Sequence, residues 1–152
     1  MNPGGEVQFT DEIYREVILD HYRSPRHSGE MADPDVFEAG INPLCGDELM
    51  LFLKFKGVAI AEIAFKGKGC SISQASASMM TEAVQDLDVF RAEALAREFK
   101  DMMLEGRPAE SLSAELEDAK SLEGVKRYPV RVKCAVLAWN TLLEALKKRG
   151  KI

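Results

Sequence analysis

Between positions 49 and 66 the chain alternates its side chains with a period of two and is broken once, at Gly57. Leu49, Leu51, Leu53 and Phe55 fall on one side of the first run, and Met50, Phe52, Lys54 and Lys56 on the other. That period belongs to a β-strand with one face on a core. The pattern resumes over 60–66 with Ala61, Ile63 and Phe65 on one side, so the two runs read as a hairpin. In an antiparallel hairpin the two open ends are neighbours. Here they are NPLCGD, with Cys45 and Asp47, and GKGC, with Cys70, so residues 25 apart in sequence can share one ion.

Helical periods flank the hairpin. Thr10 can cap a helix whose first turn carries Asp11 and Glu12, with Ile13, Tyr14, Val17, Ile18 and His21 at helical spacing and an end before Pro25. Residues 36–39 can form a short strand. From Ser71 the pattern is helical again, with Ile72, Met79, Met80 and Val84 as packing positions. Cys70 then stands at that helix's N-terminus, where partial positive charge favours a thiolate. A further helix is expected over 91–104, stopped by Gly106. A shorter one runs through Leu112, Leu116, Ala119 and Leu122 to about Gly124. The stripe Val132, Val136, Trp139, Leu143 and Leu146 marks a last helix, with Cys134 in its first turn, off the stripe.

Free cysteines often serve as small buried hydrophobes. The three here lie beside loop ends and helix starts, where reactive groups are usually presented. Being odd in number and far apart, Cys45, Cys70 and Cys134 do not make a disulfide framework. With Asp47 they form a set suited to tetrahedral Zn²⁺, to an iron–sulfur cluster, or to carrying sulfur as a persulfide. His21 and His27, the only histidines, are expected to be structural. The 152 residues, 46% hydrophobic and 30% charged, describe one domain spanning 1–152. A net charge of -5 with no concentrated basic patch argues against nucleic-acid binding; Lys147, Lys148, Arg149 and Lys151 read as complements to a helix C-terminus. No leader pattern and no run of about 18 apolar residues occurs, so the expectation is a soluble cytoplasmic protein with no membrane partner.

The segments DHYRSPRHSG, NPLCGD, GKGCSISQASASMM and RVKCAVLAW, in that order and across nearly the whole chain, resemble the U-type iron–sulfur cluster assembly family, the IscU/SufU proteins. The resemblance implies an α+β fold of the SufE/NifU-like kind, with about three antiparallel strands packed against roughly four to six helices and a site at one exposed end. It also implies Cys45, Asp47, Cys70 and Cys134 as the metal ligands. The details favour the SufU branch. Lys133 stands where the IscU branch carries histidine, Cys134 follows Cys70 by 64 positions, and residues 105–123 look like the SufU insertion. The chaperone-recognition motif of the IscU branch is represented only by YPVRVK.

Similarity to SufU implies a held Zn²⁺ and a role as sulfur acceptor for a SufS-type cysteine desulfurase, with downstream scaffold or apo-acceptor proteins. Cys45 is assigned as the thiolate that takes the persulfide sulfur, because Gly46 frees its loop and the resemblance points the same way. Arg131 resembles a basic residue near the SufU site that can stabilise thiolate or persulfide charge. Lys133 cannot act as a neutral imidazole ligand and is expected to attract a partner or a persulfide. Two other readings stay open. One is a scaffold for a transient [2Fe–2S] cluster or iron; the other is a zinc-stabilised interaction domain without transfer chemistry.

Overall fold

The computed structural model describes residues 4–150, with side chains from residue 12 onward. Helix α1 (Gly4–Arg23) leads into three antiparallel strands, β1 (Val36–Asn42), β2 (Asp47–Lys56) and β3 (Ala59–Lys68), in the order β1-β2-β3. Then follow α2 (Ser71–Val84), α3 (Val89–Leu104), three 3-10 segments (Ala109–Ser111, Ala114–Leu116 and Asp118–Arg127), and α4 (Pro129–Arg149). This is the expected α+β architecture. Helix α1 runs through position 10, so Thr10 is interior rather than its cap. Among the described residues no helix is long and apolar enough to cross a membrane.

The hairpin forms as its alternation dictates, with Gly57 at φ 62° in the turn. One departure has a clear cause. A register shift at Lys54/Phe55 pairs Lys54 with Glu62 but Phe55 with Ile60, leaving Ala61 as the extra residue of a bulge. The bulge turns Ile60 inward, so the buried set is Ile60, Ile63 and Phe65 rather than Ala61, Ile63 and Phe65. On the outer face Phe52 is covered by Phe37 of β1, with ring centroids 5.3 Å apart.

The core lies between the inner sheet face and the helices. Trp139 of α4 is fully buried and stacks on Phe99 of α3 at 4.5 Å between centroids. Its indole N–H donates to Ser76 Oγ of α2 at 2.9 Å, and that hydroxyl donates to the Ala135 carbonyl at 2.6 Å. This chain of bonds fixes the register of α4 against α2, and with it the depth of Cys134. Helix α3 starts at Val89, capped by Asp88 accepting from the Arg91 N–H at 2.8 Å, two residues earlier than expected.

The short helix expected around 112–124 is a series of 3-10 turns instead. Leu116, Ala119, Leu122 and Val125 are all buried and spaced by three, the period at which 3-10 side chains eclipse. His21, at the end of α1, is fully buried, with Nδ1 2.7 Å from Ser78 Oγ and Nε2 2.7 Å from Asp118 Oδ2. It ties α1 to α2 and to the segment Asp118–Arg127. Glu82 stands 3.7 Å from the same Nε2, so His21, Glu82 and Asp118 form a titratable cluster that sequence reading did not foresee. His27 Nδ1 lies 3.2 Å from Thr81 Oγ1.

Candidate metal centre

The site is assembled at one end of the sheet. Cys45 sits in the turn between β1 and β2, its N–H donating to the Asn42 carbonyl at 3.3 Å, and Gly46 follows at φ 70°. That left-handed conformation suits glycine and closes the four-residue turn, 43–46, that leads into β2. Asp47 opens β2, paired across the sheet with Asn42, and is completely buried.

A buried carboxylate needs partners, and Asp47 has them. Oδ1 accepts from the Cys70 N–H at 2.9 Å and from Ser73 Oγ at 3.1 Å, while Oδ2 accepts from Asn42 Nδ2 at 3.3 Å. Burial alone would raise the carboxyl's pKa. Hydrogen bonds from the Cys70 N–H, Cys134, Ser73 and Asn42 outweigh it and hold the group below the usual carboxylate range. Gly69 has φ +152°, and a Cβ there would run into Asp47 Oδ1 and come within 2.7 Å of Ser73 Oγ.

Cys70 is the N-cap of α2, its sulfur accepting from the Ser73 N–H at 3.4 Å. This is the placement expected, at the N-terminus of the helix. Cys134 lies a turn deeper than expected. Helix α4 begins at Pro129, so Cys134 falls in the second turn and is completely buried, whereas Cys45 and Cys70 are half-buried. Cys134 Sγ is 3.6 Å from Asn42 Nδ2, and the Val130 carbonyl lies 3.8 Å from Cys134 Sγ and 4.0 Å from Cys45 Sγ.

Donor atoms of Cys45, Asp47 and Cys134 all lie within 4.8 Å of one another. Cys70 borders this trio, joined to it by its own N–H on Asp47 and by Arg131. The pKa of the Arg131 guanidinium is raised by its charge interaction with Cys70 first, and by hydrogen bonds to Cys134 and Cys70. Desolvation, with hydrogen bonds involving Asp47, Cys45 and Cys70, pushes the Cys134 thiol far above its ordinary pKa. Lys133 is exposed, next to the buried Cys134. Asn42 and Ser73 were given no role by sequence reading. The first residue of NPLCGD and the fourth of the CSIS run were the available signals, and both proved to hold Asp47.

Three thiols and a carboxylate gathered on a three-stranded sheet by the starts of two helices define a small α+β protein with a metal-type donor set. Residues 13–135 match the NifU-like N terminal domain, and the chain belongs to that family. It is 42% identical over 138 residues to the zinc-dependent sulfurtransferase SufU of Bacillus subtilis, covering 91% of this chain and 92% of the relative. It is also 42% identical over 139 residues to the iron-sulfur cluster assembly scaffold protein IscU of Streptococcus pyogenes, covering 91% and 85%. The crystal structure of FiSufU from Fervidobacterium islandicum, described as an iron-sulfur cluster assembly scaffold protein for the SUF system, superposes with a TM-score of 0.78 at 34% identity, covering 89% of this chain and 97% of that one.

Proposed function

We propose that this chain is an iron–sulfur cluster assembly protein that accepts persulfide sulfur on Cys45 from a cysteine desulfurase of the SufS type. Zn²⁺ would be held by Cys45, Asp47, Cys70 and Cys134. The donor set fits: three sulfurs and one oxygen are ligands zinc takes in tetrahedral sites. Electrostatics favour a cation there too, because Asp47 and three thiols crowd together with Arg131 as their neighbouring positive charge. When bound, the zinc supplies charge that keeps thiols deprotonated at neutral pH.

The observation that carries the reading is the asymmetry among the cysteines. Cys134 is buried inside a helix, and Cys70, half-buried like Cys45, is tied down as a helix N-cap, whereas Cys45 rides a turn beside a left-handed glycine. Cys45 is therefore the thiol that can reach a partner. Its thiolate attacks the outer sulfur of the desulfurase persulfide; a new S–S bond forms on Cys45, the old one breaks, and the desulfurase cysteine leaves as thiolate. Asp47, clamped by Cys70, Ser73 and Asn42, keeps the base of the site fixed meanwhile. The Arg131 guanidinium offsets thiolate and persulfide charge.

A second reading is a scaffold that builds and passes on a [2Fe–2S] cluster, supported by the equal identity to the IscU relative. Metal analysis of anaerobically purified protein, combined with desulfurase turnover with and without it, separates the two. The sulfur-acceptor reading expects stoichiometric zinc and a large turnover gain that Cys45→Ala abolishes. An iron–sulfur chromophore that moves to an apo-acceptor, with no zinc requirement, would sink it.

A further inference from the structure

Asn42, the first residue of NPLCGD, touches three of the four candidate ligands. Its carbonyl accepts from the Cys45 N–H at 3.3 Å, while its Nδ2 lies 3.3 Å from Asp47 Oδ2 and 3.6 Å from Cys134 Sγ. The residue is buried at the last position of β1, where cross-strand pairing with Asp47 holds it. A side-chain amide nitrogen carries two N–H donors, so it can serve an oxygen and a sulfur together. The two oxygens of Asp47 differ in turn. Oδ1 accepts from the Cys70 N–H and the Ser73 hydroxyl, which takes up both of its lone pairs, whereas Oδ2 accepts from Asn42 and keeps room for a cation. Cys134 also hydrogen-bonds this carboxylate, so Asn42 stands where those two ligands meet. Cys70 is fixed separately, as the N-cap of α2.

We propose that Asn42 is the positioning residue of the metal centre. Its amide holds Asp47 Oδ2 and Cys134 Sγ as a fixed ligand pair and leaves Cys45, tied to it through the backbone, as the thiolate that lets go. The proposal rests on the ligand set of the sulfur-acceptor reading. Partners that hydrogen-bond a metal's ligands set their orientation and basicity, and losing one typically weakens metal binding about 10–100-fold. An N–H on a coordinated sulfur also draws electron density from it. Removing that N–H therefore leaves Cys134 less well placed but a stronger electron donor, and affinity and colour report the two effects separately.

The test uses cobalt(II) as a coloured probe of the donors proposed for zinc. Three proteins are titrated anaerobically with Co²⁺: the wild type; Asn42→Leu, which keeps the side chain's approximate shape without its donors; and Asp88→Ala, which removes the N-cap of α3 beside Ala59, at the far end of the hairpin. Asn42→Leu is expected to bind about 10–100-fold more weakly, with its sulfur-to-cobalt charge-transfer band at longer wavelength. Asp88→Ala is expected to keep the wild-type band. In the zinc-loaded proteins, iodoacetamide is expected to alkylate Cys134 in Asn42→Leu and not in the wild type. Unchanged affinity and band in Asn42→Leu, the same band shift in Asp88→Ala, or equal alkylation of Cys134 in wild type and Asn42→Leu overturns the proposal alone. A wild type with no sulfur-to-cobalt band brings down the ligand set, and the role of Asn42 with it. Should Asn42→Leu not fold, the wild type loaded with an NMR-active cadmium isotope decides: scalar coupling from the metal through the Cys134 sulfur to an Asn42 Nδ2 proton is expected, and its absence overturns the proposal.

Discussion

Stripping the metal with a chelator under reducing conditions and raising the pH from 7 to 9.5 destabilises the protein through one thiol, Cys134. In the fold its pKa is pushed far up by burial and by Asp47, Cys45 and Cys70, while in the unfolded chain a cysteine titrates near 8.5. The native state therefore keeps a proton that the unfolded state releases. The stabilisation is fully present below about pH 8.5 and is lost as pH rises. Integrating that difference to pH 9.5 gives a loss of about 1.4 kcal/mol. With a urea m-value of about 2 kcal/mol/M, the midpoint falls by roughly 0.7 M. Urea titrations at the two pH values on the wild type and on Cys134→Ala measure it. Lysines and tyrosines titrate alike in both proteins, so the difference between their pH responses isolates the thiol. A midpoint that falls equally in both would refute the argument.

Asp47 acts with the opposite sign: its lowered pKa lends the chelated protein stability above the ordinary carboxylate range that drains away as pH falls through the folded value, and Asp47→Asn should flatten that acid limb in the same titrations. Gly69→Ala drives a methyl group into Asp47 and Ser73 at a glycine conformation; it should cost about 2 kcal/mol and weaken zinc retention against a chromophoric chelator, and unchanged retention would count against Asp47 as a ligand. Ser76→Ala strands the buried Trp139 N–H and should cost about 2 kcal/mol by chemical denaturation, with the indole emission shifting. Chelation at pH 7 should leave the far-ultraviolet circular dichroism intact, because the Trp139–Phe99 core does not involve the site; collapse would favour the zinc-stabilised interaction domain.

Much of this arrangement was legible in the residues. Alternation around Gly57 announced the hairpin, and the hairpin placed Cys45, Asp47 and Cys70 at one end. The bulge at Ala61 was not legible, since a period-two pattern of apolar residues tolerates either register when Ala61, Ile60 and Ile63 are all apolar. Cys134 was read a turn too shallow because the apolar stripe begins at Val132, whereas Pro129 already occupies the first helical turn, where its missing N–H costs nothing. The spacing of Leu116, Ala119 and Leu122 by threes was present but read as α-helical. Asn42 and Ser73 escaped because polar residues beside a candidate ligand look the same whether they face solvent or a buried carboxylate.

The hairpin also separates two ends of the molecule. Every candidate ligand lies where β2 begins and β3 finishes, while the turn at Gly57 lies at the far end of a ten-residue strand, about 30 Å away along it. A fluorophore or affinity handle spliced into that turn would sit where it neither crowds the cysteines nor offers them a competing ligand. The fold thus supplies its own attachment point for watching the centre load and unload.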